Sequence, residues 1–245
     1  SVDLPGFKGG DRTSLDLPKD QLSLLKALKA IGKPIVMVVT SGSAIALNWE
    51  NDNIPAILQA WYPGEEGGNA VADVIFGDYN PGGRLPLTYY RSVNDLPEFE
   101  NYFMGGRTYR YFSGNPLFPF GHGFSFTSFA YSDLKIENPV IKTNESTTVT
   151  LKIKNSGTYD GDEVVQLYVR NMDSKEDQPI KSLKGFRRIH IAKGDKTDVT
   201  FLLKADDLKY FSVSKNKFTI DPGRYEILIG SSSQDIRLKG ILRIN

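Results

Sequence analysis

The chain has 245 residues, of which 40% are hydrophobic and 24% are charged, and its formal net charge is +1. These values are typical of a soluble globular protein with room for two ordinary domains. The near-zero charge gives no support for a nucleic-acid partner, and no apolar run reaches the roughly 18 residues that a membrane-spanning helix needs. We therefore expect neither a nucleic acid nor a membrane among its partners.

Cysteine is absent, and histidine occurs only at His122 and His190. The absence of cysteine excludes disulfides, a thiol nucleophile and cysteine-ligated metal. A zinc site or a serine triad would depend on one of two histidines that lie far apart in the sequence, and a lone histidine is more often structural. We expect no metal and no cofactor. The start at Ser1, without an initiator Met, suits a fragment or a processed product.

Helix and strand patterns alternate in the first half of the chain. Apolar residues recur every three positions from Lys19 to Ile31, which predicts a helix with one apolar face that ends at Gly32. The β-branched run from Ile35 to Val39 predicts a strand that is buried on both faces, as in a parallel sheet.

The same alternation continues with a strand at 56–62, a helix at 65–76 and a strand at 84–89. The helix is expected to bury Ala70, Val71, Val74 and Ile75. Strand–helix–strand order with short turns predicts an α/β domain with a mostly parallel sheet. Residues 90–123 lose this periodicity but are rich in aromatic side chains, so we expect a long ordered loop that packs against another surface, with the interface between the two domains as one candidate.

After about Phe124 the pattern changes to short runs in which apolar and polar residues alternate. Turn residues separate the runs, as at Asn155 to Gly157 and at Asp221 to Gly223. About seven antiparallel strands in this half predict an all-β sandwich of the immunoglobulin or fibronectin III type. The domain prediction is therefore α/β for 1–124 and a β-sandwich for 125–245. The runs that carry it are 148–153, 164–169, 197–203, 224–229 and 236–244.

The candidate site is the turn that follows the strand at 56–62. Trp61 and Tyr62 could stack on a sugar ring, although aromatics at strand ends are more often core. Glu65 and Glu66 at the helix start either complement the helix dipole, which is the simpler interpretation, or face a sugar. The glycine spacing is not that of a phosphate-binding fingerprint.

Two further charged residues lie near the start of the chain. Asp11 and Arg12 form either a local salt bridge or part of a site rim. Retaining glycoside hydrolysis needs two carboxyl groups about 5–5.5 Å apart. Glu65 and Glu66 are neighbours whose side chains diverge, and no convincing catalytic pair is present in the sequence. No catalytic residue is therefore assigned within the chain.

The segments from Trp61 to Pro86 and from Phe118 to Thr127 strongly resemble glycoside hydrolase family 3. The later runs 164–169, 183–188, 222–223 and 230–232 are similar to the fibronectin III-like domain of that family. The segment 106–112 that leads to 118–121 is most similar to the β-xylosidase branch, with β-glucosidases as relatives. The resemblance covers essentially the whole chain.

The resemblance implies a retaining exo-glycosidase built from an N-terminal (β/α)8 barrel, an α/β sandwich and a fibronectin III-like module. It implies that the nucleophile is an Asp on the barrel, which this chain lacks. It also implies an acid/base Glu a little before the Asp-Arg that matches Asp11 and Arg12. No Glu occurs between Ser1 and Gly10, so we expect the acid/base upstream of Ser1.

Two hypotheses about function remain. In the first, the chain is the C-terminal part of such a glycosidase, acting on terminal sugars of plant oligosaccharides and inactive when isolated. It would partner the barrel of the same protein, and the protein would be periplasmic or secreted, as relatives that degrade plant polymers often are. In the second, the chain is a stand-alone carbohydrate-binding or interaction module. A minimal enzyme that uses Glu65 or Glu66 as its catalytic acid is a third and weaker hypothesis.

Overall fold

The computed structural model describes residues 13–245. Within these residues the chain forms two compact units and passes between them several times. Unit 1 contains the described residues up to Asp78, together with Leu87–Arg107 and Gly114–Phe118, and unit 2 contains Tyr79–Pro86, Thr108–Ser113 and Pro119–Asn245. The domain boundary at 124/125 stays a prediction, and three segments that precede it pack with unit 2.

Unit 1 is an α/β unit, as its sequence pattern predicts. Its two strands pair in parallel, with Val36 opposite Ala56 and Val39 opposite Gln59. The backbone amide of Ala60 donates to Val39 O at 2.9 Å and extends this pairing by one residue. The elements are helix α1 (Lys19–Ala30), strand β1 (Val36–Val39), helix α2 (Asn48–Asn53), strand β2 (Ala56–Gln59), helix α3 (Gly67–Phe76) and a 3-10 turn (Val93–Asp95).

The burial of these elements is lower than their patterns predict. Strand β1 is not buried on both faces, because Val36 and Val38 are 47% and 40% exposed. No residue of α1 is buried, and Leu28 and Ile31 lie open. On α3, Val71 and Val74 are half-buried, whereas Ala70 and Ile75 are exposed. Hydrophobic periodicity identifies an apolar face but not what covers it.

The strand predicted at 84–89 is wrong. Only Tyr89 forms a β-bridge, with Phe118. The Leu85 amide donates to His122 O at 2.8 Å, and Leu85 O accepts from the Gly121 amide at 2.7 Å. Pro86 follows and has no N–H, so the pairing does not continue as a ladder. The segment passes from unit 2 to unit 1 instead of joining the parallel sheet.

Unit 2 confirms the predicted β-sandwich. All five predicted strand runs lie within observed strands. A five-stranded sheet has the order β4-β12-β11-β6-β7 and faces a three-stranded sheet of order β3-β5-β8, while β9 and β10 form a hairpin. The elements are helix α4 (Thr108–Tyr111) and strands β3 (Phe129–Ile136), β4 (Val140–Ile141), β5 (Ser146–Asn155), β6 (Gly161–Asn171), β7 (Ser182–Ile191), β8 (Lys196–Lys204), β9 (Tyr210–Ser212), β10 (Lys217–Thr219), β11 (Gly223–Gly230) and β12 (Ile236–Ile244).

The core of unit 2 lies between the two larger sheets. Alternate residues of β5 point inward, and Val149 and Ile153 are fully buried. Part of the aromatic stretch packs on the outer side of β6, where the ring of Tyr109 stacks on Phe120 with centroids 4.4 Å apart. Tyr109 also meets the buried ring of Tyr168 edge-on at 5.6 Å. This part of the predicted ordered loop is therefore packed as expected.

Asn155, at the end of β5, joins several loops of unit 2 through its buried amide. Its Nδ2 donates to Tyr159 O at 2.7 Å and to Ile191 O at 2.9 Å. Its Oδ1 accepts from the Thr127 hydroxyl at 2.6 Å and from the Gly157 amide at 3.1 Å. Asn155 itself has no exposed surface, and its bonds to Thr127 and Ile191 are buried, so water cannot readily replace them.

We expect Asn155→Ala to lower the free energy of unfolding by about 2–4 kcal/mol, since it leaves buried donors and acceptors unsatisfied. Denaturant titration followed by circular dichroism measures the change. The matched control is Asn144→Ala, at an exposed turn position before β5, which should stay within about 0.5 kcal/mol of the parent. Equal stability of the two variants would contradict the role given to Asn155.

Candidate functional site

The turn between β2 and α3 carries four of the six predicted site residues. Trp61 follows β2 and has φ 56°, in the left-handed region that a bulky side chain rarely adopts. Gly64, three residues later, has φ 72°, which glycine adopts without steric cost. A strained residue persists only where its surroundings hold it, and such residues cluster at functional sites.

Tyr62 lies beside the loop that follows β1. Its side chain is 76% exposed. A Cβ on Gly42 would lie 2.9 Å from Tyr62 Cε2, so the ring occupies space that only glycine leaves open. Since β1 and β2 are parallel, both loops stand at the carboxyl edge of the sheet, where open α/β sheets bind their ligands.

The glutamates of the turn lie at the start of α3. Glu66 precedes the first helical residue, and its Oε2 accepts from Asn69 Nδ2 at 2.6 Å. Glu65 is exposed. A Cβ on the buried Gly67 would lie 2.4 Å from Pro63 Cγ, so this glycine lets the turn close tightly onto the helix. The bond to Asn69 favours the helix-start interpretation for Glu66, while Glu65 projects into solvent.

The structure thus brings Trp61, Tyr62, Glu65 and Glu66 onto one exposed turn. Asp11 and Arg12 lie outside the described residues. Whether any of the six contacts a substrate stays a prediction.

A buried carboxylate on α2 was not identified from the sequence. Glu50 is 2% exposed, and its Oε1 has no hydrogen-bond partner. A buried carboxylate oxygen without a partner is uncommon in proteins. Its position within the polar run Asn48–Asn53 gave no signal, because such a run normally marks a solvated helix.

The loop at 98–107 presents aromatic side chains to solvent. Tyr102 is 93% exposed and Phe103 is 83% exposed. The Arg107 guanidinium links two backbone carbonyls of this loop: its Nη2 donates to Asn101 O at 2.6 Å and to Glu98 O at 3.1 Å. The rings of Tyr102 and Phe103 thus face solvent, and for this part of 90–123 the expected packing stays a prediction.

Unit 2 contains a buried ion pair that the sequence analysis also missed. Arg84 Nη2 lies 3.3 Å from Glu163 Oε2, and the two side chains are 8% and 4% exposed. The Tyr131 hydroxyl donates to Glu163 Oε1 at 2.9 Å. Burial, followed by the charge of Glu163, raises the pKa of Tyr131 far above its ordinary value, so the phenol stays a hydrogen-bond donor.

The structure gives two further results on site chemistry. Among the described residues, no group of three or more acidic or histidine side chains is arranged to hold a metal ion. No helix in residues 13–245 has the length and apolar character that crossing a bilayer requires.

Comparison with known proteins places both halves of the chain in recognised groups. Residues 5–126 match the glycosyl hydrolase family 3 C-terminal domain, and residues 163–233 match the fibronectin type III-like domain. The xylan 1,4-beta-xylosidase of Xylanibacter ruminicola is 49% identical over 238 residues, which is 97% of this chain and 27% of that protein. The periplasmic beta-glucosidase of Salmonella typhimurium is 36% identical, over 94% of this chain and 32% of its own length.

A solved structure shares the fold over nearly the same span. The GH3 beta-glucosidase of Bifidobacterium adolescentis superposes with a TM-score of 0.89 at 32% identity, covering 97% of this chain and 37% of that one. The chain thus spans from about a quarter to somewhat more than a third of the length of these relatives. The chain belongs to glycoside hydrolase family 3, of which it carries the C-terminal α/β domain and the fibronectin III-like domain.

Proposed function

We propose that this chain is the C-terminal part of a retaining exo-β-glycosidase, a β-xylosidase or β-glucosidase that removes terminal sugars from plant oligosaccharides. The observation that carries the proposal is the 49% identity with the xylan 1,4-beta-xylosidase across 97% of the chain. In this proposal a (β/α)8 barrel of the same protein supplies the nucleophilic Asp. The acid/base lies outside the residues of this chain, as the family resemblance implies.

The proposed substrate contacts lie on the turn after β2. The exposed ring of Tyr62 and the half-buried Trp61 offer apolar faces to a sugar ring, and the exposed Glu65 carboxylate can accept hydrogen bonds from its hydroxyls. Glu66 positions the turn through Asn69 and lies at its edge. Asp11 and Arg12, which lie outside the described residues, complete the proposed set of substrate contacts.

Exposed apolar side chains on unit 1 support the barrel as a partner. Val36, Val38 and Ile31 are 47%, 40% and 66% exposed, and Phe76 at the end of α3 is 81% exposed. A sheet with parallel strands is normally covered on both faces. A further domain of the same protein would remove this surface from water.

We further propose that the protein acts in the periplasm or is secreted. The name of the Salmonella typhimurium relative places that protein in the periplasm. The absence of cysteine is compatible with export but does not require it.

We expect the isolated 245-residue chain to release no nitrophenol from 4-nitrophenyl β-xyloside or β-glucoside above the buffer rate. The reason is that the proposed nucleophile and acid/base both belong to other parts of the protein. A folded state confirmed by circular dichroism is the necessary control. Turnover that is abolished by Glu65→Gln or Glu66→Gln would contradict the proposal and support a minimal enzyme.

The left-handed Trp61 provides a second prediction. Trp61→Gly should be about 1 kcal/mol more stable than Trp61→Ala, because both remove the ring but only glycine adopts φ 56° without strain. The control is the same pair at Tyr62, where alanine should be the more stable by a few tenths to 1 kcal/mol. Equal stability of the two Trp61 variants in denaturant titrations would show that the backbone there is unstrained.

A stand-alone carbohydrate-binding module is the second candidate function, favoured by the loop at 98–107. Arg107 donates to two carbonyls of that loop, and these bonds lower the ordering cost of presenting Tyr102 and Phe103 to a ligand. Calorimetry against xylo- and cello-oligosaccharides should then show binding that the Tyr102→Ala, Phe103→Ala double variant removes. Phe218→Ala, which removes a ring that is 70% exposed in unit 2, is the control. Absence of binding excludes this candidate.

A further inference from the structure

Unit 2 contains an open cavity of about 580 Å³ at one end of the β-sandwich. The segment around Phe124 forms one wall, and the β11–β12 connection forms the other. Arg84 and Glu163 close the floor, while Gln234, Asp235 and Arg237 line the side. This volume lies within the range of small-ligand sites, which is roughly 300–1,000 Å³.

The charges that line the cavity are paired with one another. Arg84 bonds Glu163, and Arg237 Nη2 lies 2.8 Å from Asp235 Oδ2. His122, the remaining basic side chain of the lining, has its pKa lowered by burial and by the charge of Arg84, against a smaller opposing effect of Asp235. Its imidazole is therefore mostly neutral at neutral pH. A cavity with balanced charges favours a neutral polar ligand over a phosphate or an ammonium ion.

The polar groups of the wall are held in place before any ligand arrives. The Ser231 hydroxyl donates to Asp235 Oδ2 at 2.6 Å, and Ser232 Oγ accepts from the Asp235 amide at 2.9 Å. Arg237 Nη1 donates to Phe129 O at 2.6 Å, and its guanidinium lies 4.9 Å from the ring centroid of Tyr131. These bonds fix the Asp235 carboxylate and the Arg237 guanidinium. Their free lone pairs and N–H groups can therefore bond a ligand without the entropy cost of first ordering the side chains.

The segment around Phe124 supplies an aromatic face to the lining. Phe124 lines the cavity and is 79% exposed. Its ring meets the His122 ring edge-on, with centroids 4.9 Å apart, which restricts its orientation. An aromatic ring in the same lining as several hydrogen-bonding groups suits a ligand that has one apolar face and many hydroxyls.

We infer that this cavity is a binding site for a neutral saccharide unit, separate from the turn after β2. The ring of the sugar lies against Phe124, and its hydroxyls bond to Asp235, Arg237 and Gln234. The site holds sugar without performing chemistry on it. The inference does not depend on the glycosidase activity proposed above, since every group it uses lies within unit 2.

The test is an NMR titration of the ¹⁵N-labelled 245-residue chain with xylobiose, with cellobiose and, in a third arm, with inorganic phosphate. We expect either disaccharide to shift the amide signals of 122–125 and 231–237, and we expect phosphate to shift none of them. Phe124→Ala should weaken the binding about tenfold, which corresponds to the loss of one aromatic contact. Gln234→Ala, at an exposed position of the cavity lining in the β11–β12 connection, should weaken it as well and provides a second variant if Phe124→Ala misfolds.

Phe126→Ala is the matched control, because Phe126 is 46% exposed two residues away and does not line the cavity. It should leave the titration unchanged. No shift with either disaccharide up to about 50 mM would overturn the inference. So would shifts that survive both Phe124→Ala and Gln234→Ala, shifts confined to 61–66 or 98–104, or a response to phosphate alone.

Discussion

The carboxylate of Glu163, almost completely buried in β6, connects three parts of unit 2. One oxygen accepts from Arg84 in the segment Tyr79–Pro86, and the other accepts from the hydroxyl of Tyr131 in β3. Because β6 and β3 belong to different sheets, a single side chain joins both layers of the sandwich. An unpaired charge at this depth would cost several kcal/mol. The segment that carries Arg84 is therefore part of the β-sandwich, although it precedes the sandwich by some forty residues in the sequence.

The same arrangement shapes the cavity above it. Arg84 and Glu163 neutralise each other in its floor, and Arg237 reaches over the ring of Tyr131 to bond Asp235. Neither guanidinium is left to attract an anion. What remains for a ligand is hydrogen-bonding capacity of fixed direction together with the exposed ring of Phe124. The interactions that stabilise the two sheets thus also determine which ligand chemistry the cavity suits.

The turn after β2 is organised in the opposite way. There the backbone of Trp61 has a left-handed conformation that is sterically unfavourable for a residue with a bulky side chain. The glycines at 42 and 67 leave room for Tyr62 and Pro63. The cavity of unit 2 is lined by two ion pairs, whereas the turn contains a residue in a strained backbone conformation. Strain of this kind is retained where a fixed side-chain direction is needed.

How far the sequence predicts this molecule depends on the kind of information each feature needs. The strands of unit 2 were predicted because residues such as Val149 and Ile153 alternate with polar neighbours, and alternation directly reflects a half-buried strand. The exposure of Val36 and Val38 could not be predicted, because a β-branched run indicates a strand but does not show which elements pack on its faces. The prediction of a strand at 84–89 was wrong because the backbone of Leu85 bonds to the distant segment around Gly121. Pro86 then ends this pairing, since it has no N–H.

The two candidate sites differ in the same respect. The residues from Trp61 to Glu66 are contiguous, so a strand, a glycine and a helix start were enough to predict an exposed turn. The left-handed backbone at Trp61 had no signal, because such a conformation is marked in sequences by glycine or asparagine. The cavity draws Arg84, Phe124, Glu163 and Asp235 from four separate stretches. Each of them resembles an ordinary turn or strand residue until the fold brings them together.

Each unit is built from several separate segments of the chain, and this affects how the regions 5–126 and 163–233 that match the two family models can fold. The match to the family 3 C-terminal domain ends at residue 126, yet Asn80 within it donates to Asp160 O at 2.8 Å in unit 2. Asn80 Oδ1 also accepts from the Ser125 hydroxyl at 2.9 Å. The loop that enters β6 is thus held by residues from the α/β region, and Arg84 from that region is needed to bury Glu163. Unit 2 consequently requires residues from both family regions, and the fibronectin III-like domain is completed only when the preceding segments are folded onto it.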